Sequence, residues 1–123
     1  MPKTILVVDD SLIARQQVRD AIGDLGFQLV DAANGEEGLQ RFQTTPDVAL
    51  VISDLNMPMM DGIEMAAAIR GLETGKTVPI VLVTTESTAG QIERSKAAGI
   101  TGWLVKPFNP NHLKAAVRKA TGT

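Results

Sequence analysis

The sequence predicts an α/β protein built on a doubly wound parallel sheet. Apolar runs of strand length alternate with longer segments of helical period, and this alternation is typical of repeated βαβ units. The apolar runs are continuous in Val, Ile and Leu, which indicates strands covered on both faces. At 123 residues the chain has the length of one domain with one core. We therefore expect a single domain spanning 1–123, with no output domain.

Five segments have the composition of strands. They lie at about 4–8, 27–32, 48–53, 78–83 and 101–105. The first, third and fourth are the richest in β-branched and aliphatic residues, so we expect these three to be the most buried.

The segments between these strands carry helix start and stop signals. Ser11 is positioned to cap the first helix, and Gly26 suits its exit. Capping pairs open the later helices, and proline occupies a first-turn position in the last one. The predicted caps are Asn34 with Glu37, Asp61 with Glu64, Thr88 with Gln91, and Asn109 before Pro110, with Gly99 closing the fourth helix.

Composition excludes several classes of function. The chain has no cysteine, so disulfides, thiolate metal sites and cysteine nucleophiles are excluded. Twelve basic residues against 14 acidic ones give a net charge of -2. The basic residues are scattered, which argues against nucleic acid and against a membrane surface as partners. We find no signal peptide or apolar span at the N-terminus, and we expect a cytoplasmic monomer.

Polar side chains follow four of the predicted strands. Asp9 and Asp10 follow the first, Asp54 the third, Thr84 the fourth and Lys106 the fifth. The carboxyl ends of parallel strands form one edge of the sheet, where ligand sites of open α/β folds lie. Three carboxylates gathered there repel one another unless a cation intervenes. Oxygen-only ligands of this kind suit Mg²⁺.

Asp54 is the best candidate for a reacting group at this edge. An aspartate carboxylate can attack phosphorus and form an acyl phosphate. Such a step requires positive charge and hydrogen-bond donors at the phosphoryl oxygens, which a metal, Lys106 and Thr84 can supply. Taken singly, each of these residues has an ordinary structural explanation, as a loop or cap residue, a solvated lysine or a β-former. Their joint occurrence at strand ends favours the functional interpretation.

The motifs LVVDDS, SDLNMPMMDG, LVTTE and GWLVKPF resemble those of response regulator receiver domains from two-component signalling, and the resemblance covers essentially the whole chain. Among receivers the chain is similar to stand-alone regulators of the CheY type. The resemblance implies a flavodoxin-like sheet of order 2-1-3-4-5 flanked by five helices. It also implies a role for each strand-end residue: Asp54 as phosphoacceptor, Asp9, Asp10, Asp54 and the Asn56 backbone carbonyl as ligands of Mg²⁺ or Mn²⁺, Thr84 as the switch hydroxyl and Lys106 as the phosphate-pairing base.

Further expectations come from the resemblance alone. It implies a cis peptide bond between Lys106 and Pro107. Receivers place a switch aromatic where this chain has Trp103, although a lone strand tryptophan is more often core filler. Asn56 and Glu86 correspond to positions that tune dephosphorylation, and this pair of residue types implies comparatively rapid self-dephosphorylation.

The leading hypothesis is therefore a signalling phosphoacceptor and not an enzyme, with intrinsic autophosphorylation and autodephosphorylation. Its partners would be a histidine kinase as phosphodonor and a downstream effector that reads the face formed by the fourth helix, the fifth strand and the fifth helix. Flagellar chemotaxis, other motility systems and phosphorelay shuttling are all compatible with this hypothesis.

Three alternatives stay open at this point. A phosphatase of the haloacid dehalogenase type also forms aspartyl phosphates with Mg²⁺, but the chain has no room for a cap domain. A flavodoxin-like cofactor binder needs a phosphate-binding loop where Asp9 and Asp10 stand. A degenerate receiver acting only as a scaffold is disfavoured because every reactive position is filled.

Overall fold

The computed structural model describes residues 3–85 and 89–122 and shows a parallel sheet covered by helices on both faces. The strands are β1 (Thr4–Val8), β2 (Gln28–Ala32), β3 (Val48–Ser53), β4 (Ile80–Thr84) and β5 (Gly102–Val105). They pair in the order β2-β1-β3-β4-β5, and every pairing is parallel. The predicted sheet order is therefore confirmed. The chain reverses its direction of travel across the sheet between β1 and β3, so the crevice favoured for ligands lies at their carboxyl ends.

Helices connect the strands, as predicted. They are α1 (Leu12–Ile22), α2 (Gly35–Thr44), α3 (Gly62–Arg70), α4 (Ala89–Ala97) and α5 (Pro110–Thr121). A short 3₁₀ turn at Glu73–Gly75, which was not predicted, joins α3 to β4. Within residues 3–85 and 89–122, no helix combines the length and the apolar character that crossing a bilayer requires.

The predicted caps explain where four of these helices begin. The Ser11 side chain accepts a hydrogen bond from the Ala14 N–H at the start of α1. Asp61 and Glu64 form a reciprocal capping box at the start of α3, which satisfies two backbone donors at once. Like Ser11, Asn34 and Asn109 each accept a backbone hydrogen bond with their side chains, at the starts of α2 and α5. The predicted cap at Thr88 lies outside the described residues.

Several predicted boundaries differ from those in the structure. The fourth strand begins at Ile80 and not at 78, because Pro79 has no N–H to donate to a sheet ladder. It also extends to Thr84, which is therefore the last strand residue. The first helix ends at Ile22 and not near Gly26. Gly26 instead has a positive φ of 89° in the loop that leads into β2.

Alternate residues of the central strands supply two cores, one on each face of the sheet. On β1, Ile5 and Val7 pack toward α1 and α5, whereas Leu6 and Val8 pack toward α2 and α3. Strands β1 and β4 are buried throughout and β3 through most of its length, as predicted for the first, third and fourth strands. This two-sided burial fixes the ends of β1 and β3 with respect to each other.

Candidate metal centre

Asp9 and Asp54 meet because their strands are hydrogen-bonded neighbours. Val8 pairs with Ser53 in the β1–β3 register, and the Asp54 N–H donates to the Val8 carbonyl at 2.9 Å. The Asp9 N–H donates to the β2 carbonyl of Ala32 at 3.1 Å, which anchors the other side of the crevice. Oxygens from the carboxylates of Asp9, Asp10 and Asp54 all lie within 4.8 Å of one another. Sheet pairing therefore produces the acidic cluster.

The three carboxylates differ in their access to solvent. Asp9 is buried, Asp54 is half-buried and Asp10 is exposed. Burial raises the pKa of the Asp54 carboxyl above its ordinary value, and the charge of Asp9 acts in the same direction. The Lys106 ammonium and hydrogen bonds from the Thr84 hydroxyl and the Leu55 N–H lower the pKa of Asp54 by less than these effects raise it. A carboxylate held in this way gains stability from any added cation.

Lys106 is the cation that reaches the cluster from β5. Its Nζ lies 2.9 Å from Asp9 Oδ2 and 3.6 Å from Asp54 Oδ2. The Lys106 N–H donates to the Thr84 carbonyl at 2.9 Å, so the ends of β4 and β5 are tied together. Thr84 is fully buried, and the peptide bond between Lys106 and Pro107 is cis. The ammonium is therefore shared between two of the aspartates.

The donor set fits a hard divalent cation. Three carboxylates supply anionic oxygens close enough to share one ion, and the exposure of Asp10 leaves the site open to water. Mg²⁺ binds through oxygen ligands and keeps several waters, so a shallow acidic site suits it. Asn56 lies two residues beyond Asp54 in the loop that leads to α3, with an exposed side chain. Its backbone carbonyl as a fourth protein ligand stays a prediction.

The loop after β3 is closed by a contact that only glycine permits. A Cβ atom on Gly62 would lie 2.3 Å from the Asp54 carbonyl oxygen, well inside any allowed approach. The Gly62 N–H donates to the Leu55 carbonyl at 2.9 Å. The N-terminus of α3 can therefore pack directly against the backbone of Asp54 and fix its position.

Within the described part of the chain, the predicted site residue Trp103 is not part of this cluster. Trp103 packs against the apolar cluster formed by Leu55, Ile63 and Leu82, and Leu55 directly follows Asp54 in the chain. The Trp103 indole N–H is buried, and no hydrogen-bond acceptor for it is found within residues 3–85 and 89–122. Glu86 lies outside the described residues.

One contact of the site was missed in the sequence. Arg15 Nη1 donates to the backbone carbonyl of Asp9 at 2.6 Å, and Arg15 Nε donates to Asp31 Oδ2 at 3.3 Å. The available signal was Asp31 itself, a carboxylate that follows Leu29 and Val30 within the second strand. A charge at such a position indicates a partner on a neighbouring element.

Known proteins resemble the chain over nearly its whole length. The profile of the response regulator receiver domain matches residues 5–118. Chemotaxis protein CheY1 of Helicobacter pylori is 32% identical over 120 residues, which cover 97% of each chain. The crystal structure of chemotaxis protein CheY4 of Vibrio cholerae superposes with a TM-score of 0.91 and 39% identity, covering 98% of this chain and 99% of that one.

A third structure has the same fold at lower identity. The receiver domain of sensor histidine kinase PA1611 from Pseudomonas aeruginosa is 24% identical, with a TM-score of 0.90 over the full length of both chains, and its crystal structure holds a magnesium ion in the active-site cleft. The chain belongs to the response regulator receiver domain family of two-component signalling, with chemotaxis proteins of the CheY type as homologues.

Proposed function

We propose that this receiver domain is a phosphorylation-dependent switch whose phosphoacceptor is Asp54. Receivers take phosphoryl groups from histidine kinases and act as signalling proteins rather than as classical enzymes. The observation that carries the assignment is the convergence of three carboxylates with one ammonium. Asp54 lies in that cluster, 3.6 Å from the Lys106 Nζ, at the end of the central strand β3.

The proposed cofactor is Mg²⁺, or Mn²⁺ in its place, held by Asp9, Asp10, Asp54 and the Asn56 backbone carbonyl. Receiver domains bind Mg²⁺ at an acidic pocket, and the Pseudomonas aeruginosa receiver with a coordinated magnesium ion has the same fold. When bound, the ion neutralises negative charge on the phosphoryl oxygens. Asp54 also requires this neutralisation, because burial raises the pKa of its carboxyl and makes the ionised form costly.

Asp54, Lys106 and Thr84 each have a separate role in the phosphoryl transfer step. A carboxylate oxygen of Asp54 attacks the phosphorus, and the bond between phosphorus and the donor nitrogen breaks, with its electron pair leaving on the histidine of the kinase. Lys106 places positive charge beside the transferred group, and the Thr84 hydroxyl donates a hydrogen bond to it. Lys106 can take this role by moving from Asp9, its nearer partner at 2.9 Å.

We further propose that phosphorylation is read on the face formed by α4, β5 and α5. Thr84 lies on β4 and Trp103 on its partner strand β5, and Trp103 packs against the apolar cluster that contains Leu55, the residue after Asp54. The buried indole N–H has no acceptor within the described part of the chain, so the described residues leave this polar group unsatisfied. A phosphoryl group that draws Thr84 inward favours a second packing of Trp103 and thereby changes affinity for an effector.

Self-dephosphorylation completes the proposed cycle. Asn56 and Glu86 flank the acyl phosphate in this proposal and set how readily water reaches it. We expect comparatively rapid loss of phosphate in the presence of Mg²⁺. A phosphoprotein that persists for hours with the metal present would contradict this part of the proposal.

The test is phosphate incorporation by an Asp54→Asn variant. Radiolabelled acetyl phosphate with Mg²⁺ is expected to label the wild type and to leave Asp54→Asn unlabelled. Asp20→Asn is the matched control, because Asp20 is an exposed residue of α1 outside the cluster. Undiminished labelling of Asp54→Asn would overturn the assignment. Turnover of phosphate esters in excess over protein would instead favour the phosphatase alternative, which nothing in the comparisons supports.

A further inference from the structure

Arg15 makes two contacts that join the acidic loop to the edge of the sheet. Its Nη1 donates to the Asp9 carbonyl at 2.6 Å, and its Nε donates to Asp31 Oδ2 on β2 at 3.3 Å. The Arg15 side chain is only 14% exposed, so water competes little for these bonds. A planar guanidinium that binds two fixed acceptors holds a fixed orientation of its own.

The carbonyl that Arg15 binds belongs to the peptide unit between Asp9 and Asp10. Rotation of that peptide plane changes the direction in which both carboxylates leave the backbone. Three other bonds hold Asp9: its N–H to Ala32, its Oδ1 from the Ser11 N–H and its Oδ2 from Lys106. None of these three involves the carbonyl. Among the contacts of the described residues, the one from Arg15 is therefore the bond that fixes the plane between the two proposed metal ligands.

We propose that Arg15 is a positioning residue of the metal centre, which sets the Asp9–Asp10 peptide for cation binding by bridging its carbonyl to Asp31. This inference rests on the proposed function, because it concerns the same divalent-cation site. Arg15 does not touch the cation in this proposal. It acts through the orientation of the carboxylates, in the way that outer-sphere partners of metal ligands commonly act.

Arg19 provides a matched control on the same helix. It also pairs with the Asp31 carboxylate, and its side chain is 37% exposed. It makes no described contact with Asp9. Loss of either arginine removes one positive charge from the same region, and long-range electrostatics alone would make both losses strengthen cation binding. If Arg15 positions the metal ligands, its loss instead weakens cation binding. Loss of Arg19 has no such effect.

The experiment is an NMR titration with MgCl₂ at constant ionic strength, which follows the backbone amides at the ends of β1 and β3 in full-length protein. Arg15→Ala is expected to weaken Mg²⁺ binding by about tenfold. Arg19→Ala is expected to bind as the wild type does, or slightly more tightly. Arg15→Lys keeps the charge but cannot hold both acceptors at once, so we expect an intermediate affinity. It also serves as the test variant if Arg15→Ala fails to fold.

A second readout separates positioning from loss of structure. In labelling with acetyl phosphate, Arg15→Ala is expected to raise the half-saturating Mg²⁺ concentration and to keep the rate at saturating Mg²⁺. Equal Mg²⁺ affinities of Arg15→Ala and Arg19→Ala, or a wild-type affinity of Arg15→Lys, would overturn the inference while leaving the proposed function intact. A wild type that does not bind Mg²⁺ would overturn the proposed function, and the inference with it.

Discussion

Asp54 combines two properties that oppose each other, an ionised carboxylate and a half-buried position. Burial raises the pKa of its carboxyl above 3.8, with Asp9 contributing in the same direction. The folded protein therefore binds the proton more tightly than the unfolded chain does. At pH values above its folded-state pKa, ionised Asp54 therefore destabilises the fold. This effect vanishes at pH values below the pKa of Asp54 in the unfolded chain.

This reasoning predicts that Asp54→Asn raises the thermal midpoint at neutral pH without Mg²⁺, because asparagine carries no charge to desolvate. The gain should shrink as the pH falls through the raised folded-state pKa and should vanish below 3.8, where the wild-type carboxyl becomes protonated in both states. Thermal unfolding followed by circular dichroism at several pH values measures the difference. The exposed control Asp20→Asn should show no such trend. A neutral-pH midpoint for Asp54→Asn at or below that of the wild type would contradict the account.

Within the described residues, the Lys106 ammonium is the cationic group that contacts two carboxylates of the cluster. It lies 2.9 Å from Asp9 and 3.6 Å from Asp54. We predict that Lys106→Met lowers the rate of phosphorylation by about 100-fold, the usual effect of removing one donor to a developing charge. Lys76→Met is the charge-matched control, since Lys76 pairs only with Glu73 on the surface among its described contacts. Initial rates of labelling at saturating Mg²⁺ provide the measurement. Equal rates for the two variants would remove Lys106 from the mechanism.

At the scale of elements, the position of α3 depends on the absence of one side chain. A Cβ at Gly62 would meet the Asp54 carbonyl oxygen at 2.3 Å, whereas a Cβ at Gly90 on α4 would meet nothing within 4 Å. We predict that Gly62→Ala destabilises the fold by about 1–3 kcal/mol, because the backbone must shift. Gly90→Ala should instead stabilise it by up to about 1 kcal/mol, because alanine favours a helix.

Urea unfolding at fixed pH measures both changes in the free energy of unfolding. The two variants carry the same substitution in two different helices, so the opposite signs isolate the close approach at Asp54. A Gly62→Ala variant as stable as Gly90→Ala would show that α3 does not need to pack against the Asp54 backbone.

The sequence predicted the elements well because local signals and burial agreed. Ser11, Asn34, Asp61 and Asn109 cap helices where predicted, and the three most apolar runs are the most buried strands. The start of the fourth strand was predicted too early because Val78 is a residue type that favours strands. Pro79 has no N–H to donate, so the strand begins at Ile80. The residue composition of a segment does not show which of its backbone groups can form hydrogen bonds in the sheet.

The site was predictable to the extent that sheet order determines it. Once β1 and β3 are neighbours, Asp9, Asp10 and Asp54 must share one edge. Contacts between side chains from different layers were not predictable. Arg15 reaches Asp9 and Asp31 from α1, and Lys106 lies closer to Asp9 than to Asp54. Such contacts depend on helix rotation and side-chain reach, which hydrophobic periodicity specifies only coarsely.

At the scale of the whole molecule, cation binding and folding are linked. An ion that binds only the folded state stabilises it by mass action, by about 1.4 kcal/mol at a concentration of about ten times Kd. We predict that Mg²⁺ raises the thermal midpoint of the wild type at constant ionic strength and has no effect on Asp10→Asn. Asp10 is exposed, so this variant removes a proposed ligand without disturbing the core. Equal responses of the two proteins to Mg²⁺ would place the ion elsewhere.

The most direct test of the central claim is chemical trapping of the phosphorylated residue. The protein is treated with acetyl phosphate in Mg²⁺ or in EDTA and then reduced with borohydride, which converts an aspartyl phosphate to homoserine, and the modified peptide is mapped by mass spectrometry. The account predicts homoserine at Asp54 in Mg²⁺ and its loss in EDTA. Modification at a different residue, or the same yield at Asp54 in EDTA, would contradict the claim that the three aspartates form a magnesium-dependent phosphoacceptor site.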